Sequence, residues 1–300
     1  MTGTLILQGV ASGLVTGSVY ALIALSLVIV FKSTEVINFA GGEFVMLGAY
    51  VAMFFLVLLG LPYIIVVPVV ALIVFCIGAA FDRVILDRVL GRHRPGQSIM
   101  VAMVIATVGL SFAFKGTVRL FRVSDNVRTL PPIFSTDPVF LGQVVLSRQD
   151  IAIFVIAVAV MVLLFSFFQF TKLGRALRAT SENPRAATLV GIPVRRMRTL
   201  IWGIAAALSA VAGVLVAPKL LVSPDMGGVI ILAFAAAIIG GFTNVLGVIV
   251  GGVVLGVIEN LVGLFVSSKA IAIAPFIVII LILMVRPQGL FGGAAPIKKV

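Results

Sequence analysis

The chain has 300 residues, of which 62% are hydrophobic and 11% charged, with a formal net charge of +12. A soluble domain carries about 25% charged residues, so this composition excludes a globule clothed in water and makes a bilayer the main solvent. At about 20 apolar residues per spanning helix, a chain of this length holds about eight to ten spans.

Taken in chain order, apolar runs predict spans near 5–31, 44–60, 62–81, 98–118, 150–170, 199–217, 229–243, 247–266 and 271–285. The expected fold is an all-α integral membrane protein. It is one polytopic bundle over residues 1–300, with eight to nine spans and ten as the upper bound. No basic stretch precedes the first apolar run, so that run is expected to stay as a membrane helix rather than act as a cleavable leader. The break at 31–43 is polar but brief. The run 229–243 is short and ends on glycine, which suits a half-helix or re-entrant segment.

The loops set an expected orientation. Segment 82–97 carries Arg83, Arg88, Arg92 and Arg94 against Asp82 and Asp87. Segment 171–198 carries Lys172, Arg175, Arg178, Arg185, Arg195, Arg196 and Arg198 against Glu182 alone. Excess Lys and Arg marks cytoplasmic loops, and two spans separate these segments, as one shared side requires. The external loop is then 119–149, although it holds Arg119, Arg122, Arg128 and Arg148, partly offset by Asp125 and Asp137. The N-terminus is expected outside, and the C-terminus, with Arg286, Lys298 and Lys299, inside. Basic residues spaced between apolar runs, without an aromatic-studded stripe, argue against nucleic acid as a partner and for membrane lipid.

Few residues offer chemistry. Cys76 is the only cysteine and reads as a small apolar residue in the core. His93 is the only histidine and reads as solvated in a basic loop. Gly91 to Ser98 mimics a phosphate-binding loop with Gln97 where lysine belongs. It lacks the preceding strand and the following soluble helix that such a loop needs, so an inter-span turn is expected. No metal constellation, catalytic triad or acid–base pair stands out.

The external segment starts with Leu130-Pro131-Pro132. It continues through Val139 to Leu146 as a β-hairpin turning near Gly142, which serves as a connector or as a docking element for a delivery partner. Segment 171–198 centres on a helix of about seven residues with signals at both ends. Asn183 suits the N-cap and Pro184 the first helical position. Gly191 suits the left-handed residue after the helix, and Pro193 forbids continuation. A helix needs about 12–15 residues to stand alone in water. This one must therefore dock, through Ala186, Ala187, Leu189 and Val190, either on its own bundle or in a partner's groove.

Small residues mark close helix contacts. Gly9, Gly13 and Gly17 recur every fourth residue, as do Gly247 with Gly251 and Gly252 with Gly256. In lipid, such stripes let backbones approach, and packing within the chain is the favoured use. The glycine breaks at 40–42 and 240–241 are candidates for counterparts in an inverted repeat with broken helices near a permeation path. Glu259 lies within a span, where a carboxylate costs roughly 2.5–3.5 kcal/mol. It should face the interior or water beside Asn260, either lining a path or packing. Glu43 and Asn38 sit at a span edge, where snorkelling or capping is cheap.

Four stretches carry a resemblance. Gly174-Arg175-Ala176-Leu177-Arg178-Ala179, through Asn183-Pro184-Arg185-Ala186-Ala187 to Gly191-Ile192, resembles the cytoplasmic coupling loop of ATP-binding-cassette importer permeases. Asn38-Phe39-Ala40-Gly41-Gly42-Glu43-Phe44 with Gly48-Ala49-Tyr50 resembles the branched-chain amino acid permease family, on its LivH-like side. So do Ala237-Ile238-Ile239-Gly240-Gly241-Phe242 with Gly247, Gly256 and Glu259-Asn260, and the ending Arg286-Pro287-Gln288-Gly289-Leu290-Phe291-Gly292. They occur in the family's order over nearly the whole chain. The family often has histidine or another polar residue where Gly41 stands.

The resemblance implies a permease subunit of the bacterial cytoplasmic membrane that is not itself an enzyme. It would form half of a translocation pathway for leucine, isoleucine, valine or related amino acids. Its implied partners are a second homologous permease in a heterodimer, two cytoplasmic ATPases and an extracytoplasmic solute-binding protein. Glu182, Asn183, Pro184, Arg185, Ala186, Ala187, Thr188, Leu189 and Gly191 would form the ATPase-coupling helix. Asn38, Gly41, Gly42, Glu43, Gly240, Gly241, Glu259 and Asn260 would lie along the path. ATP and magnesium would be used by the partner ATPases, with no cofactor or metal held by this chain. Relatives carry urea, amides or, on a related bundle, sugars. A secondary transporter is the rival from another class. It would need ionisable residues within spans, where Glu259 is the one good candidate. A membrane-embedded enzyme would need polar groups converging at one depth, and none is evident.

Overall fold

The computed structural model describes residues 2–91, 98–120, 129–242 and 244–292. The first helix, α1 (Thr2–Thr34), has 33 residues. At 1.5 Å per residue it is about 50 Å long, well beyond the roughly 30 Å hydrocarbon core. It ends at a turn where Glu35 takes a positive φ of 56° and Asn38 Oδ1 accepts from Ala40 N at 3.0 Å. The chain restarts as α2 (Gly41–Met53), which runs on through a π-helical turn, Phe54–Leu58.

Helix α3 (Tyr63–Phe81) does not stop at the expected loop. It continues through a second π-helical turn, Asp82–Leu86, into α4 (Asp87–Gly91). The loop expected over 82–97 therefore begins as helix. Of its phosphate-loop mimic, Gly91 ends α4, while 92–97, His93 included, lie outside the described residues, as do Arg122, Asp125, Arg128, Lys298 and Lys299. Helix α5 (Ile99–Leu120) follows. The expected hairpin is present as β1 (Pro138–Leu141) and β2 (Val144–Ser147), antiparallel and turning at Gly142.

Helix α6 (Arg148–Phe170) opens with a reciprocal cap between Ser147 and Asp150. Then come α7 (Lys172–Glu182), α8 (Pro184–Leu189) and α9 (Val194–Val216). A 3₁₀ turn, Met226–Val229, leads into α10 (Ile230–Gly240), followed by α11 (Val245–Phe265) and α12 (Ala274–Val285). Among the described residues, seven helices are long and apolar enough to cross a membrane, and two shorter apolar stretches, Met226–Gly240 and Ala270–Val285, accompany them. Each of the nine predicted runs thus contains a helix; the one expected to be short is short, and so is 271–285, whose helix has 12 residues.

Two seams of small residues hold the bundle. On α11, Gly252 and Gly256 face α1, where Gly256 lies against Gly13 and Gly17. A Cβ on Gly17 would stand 2.7 Å from Gly252 O and from Val253 Cα. Gly9 extends the seam against Leu261, and Gly247 and Gly251 use another face of α11 to receive Gly240 and Ala236 of α10. These glycines pack within the chain. The second seam joins α3 to α9, where Gly78 meets Trp202 and Ala206, and Gly203 meets the Phe75 ring. Between the seams α1 crosses α9, and the buried Ser26 and Ser209 hydroxyls share a 2.7 Å hydrogen bond there. Apolar drive is absent between helices in lipid, so close packing and such bonds do the joining.

The packing repeats itself. Helix α1 packs on α11 as α9 packs on α3, α2 touches α3 as α10 touches α11, and α5 leans on α2 as α12 leans on α10. The set α1, α2, α3, α5 thereby corresponds to α9, α10, α11, α12. In this pattern the counterpart of Gly41-Gly42, at the start of α2, is the Met226–Val229 turn at the start of α10. That corrects the expected match with 240–241, which lies at the far end of α10. Cys76 is a second correction: it is exposed on α3, because lipid accepts an apolar side chain as readily as a core does.

Candidate functional site

One end of the bundle gathers α4, α7, α8 and the first turns of α9; the other carries the hairpin. At the first end, the Thr171 hydroxyl starts α7 by accepting from Gly174 N at 2.9 Å. Helix α7 buries Gly174, Leu177 and Thr180 and turns Lys172, Arg175 and Arg178 outward. Asn183 ends α7 and caps α8, its Oδ1 accepting from Ala186 N at 3.0 Å, with Pro184 at the first helical position. Gly191 takes a φ of 82°, a conformation costly for any residue with a Cβ. There its N–H and that of Ile192 close on Thr188 O and Ala187 O at 3.0 Å each. Helix α8 has six residues.

From Glu182 to Gly191 every residue is exposed except Ala187. Leu189 is 88% and Val190 75% exposed, while Ala187 is 3% exposed. The apolar surface expected from four residues is therefore divided. Ala187 holds α8 to its own chain, and Leu189 and Val190 stand free.

Directly after α8, the first turns of α9 carry an ion-pair cluster. Arg198 Nε donates to Asp82 Oδ1 at 2.7 Å, and the Thr199 hydroxyl donates to Asp82 Oδ2 at 2.6 Å. Arg195 Nε donates to Asp87 Oδ2 at 2.6 Å, and Arg198 also bonds Asp87. Asp82 has no exposed surface, yet both its oxygens are bonded. Sequence reading took these four charges as loop residues. The available signal was their position at the ends of two long apolar runs, with opposite signs.

A second cluster forms where α2 and α10 both begin. Gly42 lies so close to Gly227 that a Cβ would collide with its carbonyl, and Gly41 faces Ile230. Glu43, in the first turn of α2, is 3% exposed. It accepts from Ser111 Oγ at 2.7 Å and pairs with Lys115 Nζ at 3.2 Å, both on α5. The dipole at the start of α2 also favours a carboxylate there. Glu43 does sit at the edge of its span, but burial and pairing replace the snorkelling expected there. Asn38 is buried and holds the turn. The sign missed in the sequence was Lys115, a lone cation inside an apolar run.

Glu259 lies on α11 beside Tyr20 of α1. It lines a cavity of about 750 Å³ together with Thr16, Lys219, Ser223 and Asp225. Its Oε2 has no hydrogen-bond partner among the described residues. Asn260 instead packs, donating to Gly256 O at 2.9 Å and Thr16 Oγ1 at 3.4 Å. This cavity belongs to the hairpin end, where Lys219 pairs with Asp150, Arg119 with Asp225 at 3.3 Å, and Gln8 brackets the backbone of Val145.

Gly240 and Gly241 have another neighbour. Gly241 ends α10 with a φ of 92°, and the stretch Gln288–Gly292 docks on it. Leu290 N donates to Ile239 O at 2.8 Å and Phe291 N to Gly240 O at 3.3 Å, which satisfies carbonyls left open at a helix end. Two motifs read separately in the sequence thus form one joint.

The family model described as branched-chain amino acid transport system / permease component covers residues 9–285. The permease protein BraD of a high-affinity branched-chain amino acid transport system in Pseudomonas aeruginosa is 33% identical over 296 residues, covering 95% of each chain. LivH of Escherichia coli K12 is 31% identical over 304 residues, again 95% of each. The probable LivH of Methanocaldococcus jannaschii is 28% identical over 309 residues, 96% of this chain and 92% of that one. No solved structure gives a significant match. A family model spanning nearly the whole helical bundle, with relatives of equal length above 30% identity, shows that this chain belongs to the permease components of branched-chain amino acid transport systems.

Proposed function

We propose that this chain forms half of the translocation pathway of an ATP-driven importer for branched-chain amino acids, with its basic end in the cytoplasm. A second homologous permease completes the pathway, two cytoplasmic ATPases supply ATP and magnesium chemistry, and an extracytoplasmic binding protein delivers solute at the hairpin end. The chain itself binds no cofactor. The observation that carries this reading is α8. A six-residue helix, capped at both ends and pinned by Ala187, presents Leu189 and Val190 to a partner at the most basic part of the chain. Excess Lys and Arg puts that part in the cytoplasm, where ATPases are.

Movement of α8 would pass directly to α9, and through Arg195 and Arg198 to Asp82 and Asp87, where α3 runs on into α4. The Glu43 junction supports a path beside α5. Lys115 keeps 32% of its side chain exposed on α5, a helix with only Met103, Thr107 and Val118 buried. A cation there is costly against lipid, so this face is expected to meet water or the second permease. Asn38, Gly41, Gly42 and Glu43 would line that side, and Glu259 the cavity toward the hairpin end.

The test is copurification. The intact assembly is isolated through a tag on this chain, with Leu189→Asp and Val190→Asp together. The ATPases are expected to be lost while the second permease is retained. Undiminished ATPase recovery would sink the coupling role of α8. Ala187→Asp is the wrong probe, because it would disturb the chain's own packing.

A further inference from the structure

A second cavity, of about 590 Å³, opens at the basic end between α1, α6, α7 and α11. Its walls change character in one direction. On α1 the lining runs Leu25, Ile29, Lys32; on α6 it runs Met161, Phe165, Phe168, Gln169; both become polar toward the same end. Helix α11 agrees, entering at Asn244 and continuing with Val245 and Ile249. Helix α7 closes the polar rim with Arg178, Ser181 and Glu182.

The two cations of this rim are not neutralised. Lys32 makes no ion pair among the described residues. Arg178 donates to the uncharged Gln169 Oε1 at 2.8 Å. Glu182 supplies one carboxylate against them, so the rim is net positive. A zwitterionic solute would leave two turns of apolar wall unsatisfied. An amphiphile with an anionic head fits both halves, since basic pockets between membrane helices suit phosphate head groups.

We propose that this cavity binds an anionic phospholipid of the leaflet at the basic end, its phosphate held by Lys32 and Arg178 and an acyl chain lying along Phe168 and Ile249. Lys32 belongs to the central helix and Arg178 to the arm that leads into α8. A bound lipid therefore fastens the arm to the bundle. The proposal is independent of which solute the importer carries.

The experiment uses the full chain, purified in mild detergent and stripped of lipid. It is then offered dioleoyl phosphatidylglycerol or dioleoyl phosphatidylcholine and read by native mass spectrometry. A single phosphatidylglycerol is expected to be retained in preference to phosphatidylcholine. Lys32→Gln with Arg178→Gln should weaken that retention roughly 30-fold, at the scale of two basic side chains beside an anionic head group. Ile249→Trp, which fills the apolar half and spares the rim, should also displace the lipid. Equal retention of the two lipids by the unaltered chain would overturn the proposal without any variant. Binding of inorganic phosphate with no lipid retained would overturn it, as would leucine binding lost on filling the cavity, which would make it a solute site.

Discussion

Arg198 of α9 and Asp82, which opens the π-helical turn after α3, meet through a 2.7 Å hydrogen bond at a point where the aspartate has no exposed surface. Removing one partner of a buried pair strands the other, at a cost of about 3–5 kcal/mol. Arg198→Ala is expected to lower thermal stability in detergent by that order. Arg198→Met with Asp82→Leu should lose less, since neither charge remains. In the assembled importer the same double variant separates stability from transmission. With the Arg198–Asp82 link gone and Arg195–Asp87 and the glycine seam kept, ATP hydrolysis should persist while uptake per ATP falls. Unchanged uptake per ATP would show that the cluster only fastens helices.

A parallel expectation concerns Glu43. Glu43→Ala leaves Lys115 without its counter-charge on a sparsely covered helix, so both stability and uptake should drop. Lys115→Ala alone should also be harmful, because it isolates a buried carboxylate. The two together should recover part of the stability, with a coupling energy of about 0.5–3 kcal/mol in a double-mutant cycle of thermal midpoints. Additive losses would mean the pair contributes nothing as a pair.

What could be read from the sequence was local or periodic. Asn183, Pro184 and Gly191 announce α8 because capping is decided within a few residues. Gly9, Gly13 and Gly17 announce a close seam because their spacing stacks them on one face. The partners of that seam could not be read, and neither could those of Asp82, which finds Arg198 at a sequence separation of 116. Direction was the other failure. Ala187 and Leu189 are equally apolar on paper, yet one is buried and the other free. Cys76 was assigned to the core for the same reason, since lipid and core ask for the same side chains. The docking of Gln288–Gly292 on Gly241 joins two glycine motifs whose contact no periodicity predicts.

The α1–α11 seam can be tested by volume. Gly17→Val would push a branched side chain into Gly252 O and Val253 Cα, which are backbone atoms and cannot rotate away. Overpacking of this kind costs typically 1–3 kcal/mol, and the rigid neighbours place this case toward the upper end. The readout is thermal unfolding of the purified chain. Gly3→Val is the control, because nothing lies within 4 Å of a Cβ there. Equal midpoints for the two variants would mean that α1 and α11 can separate freely.

Glu259 separates a lining role from a packing one. Its Oε2 has no hydrogen-bond partner among the described residues, beside Tyr20, in the cavity at the hairpin end. A residue that merely packs would tolerate Glu259→Gln, which keeps shape and hydrogen-bonding capacity. A residue that receives the ammonium group of a passing amino acid would not, because the amide lacks the charge. On the lining reading, Glu259→Gln is expected to lower leucine uptake roughly tenfold, the scale of one lost charge-assisted hydrogen bond. Thermal stability and assembly with the ATPases should be unchanged. Uptake at the unaltered rate would return Glu259 to the packing of α11 against α1, and would leave the Glu43 junction as the better guide to the path.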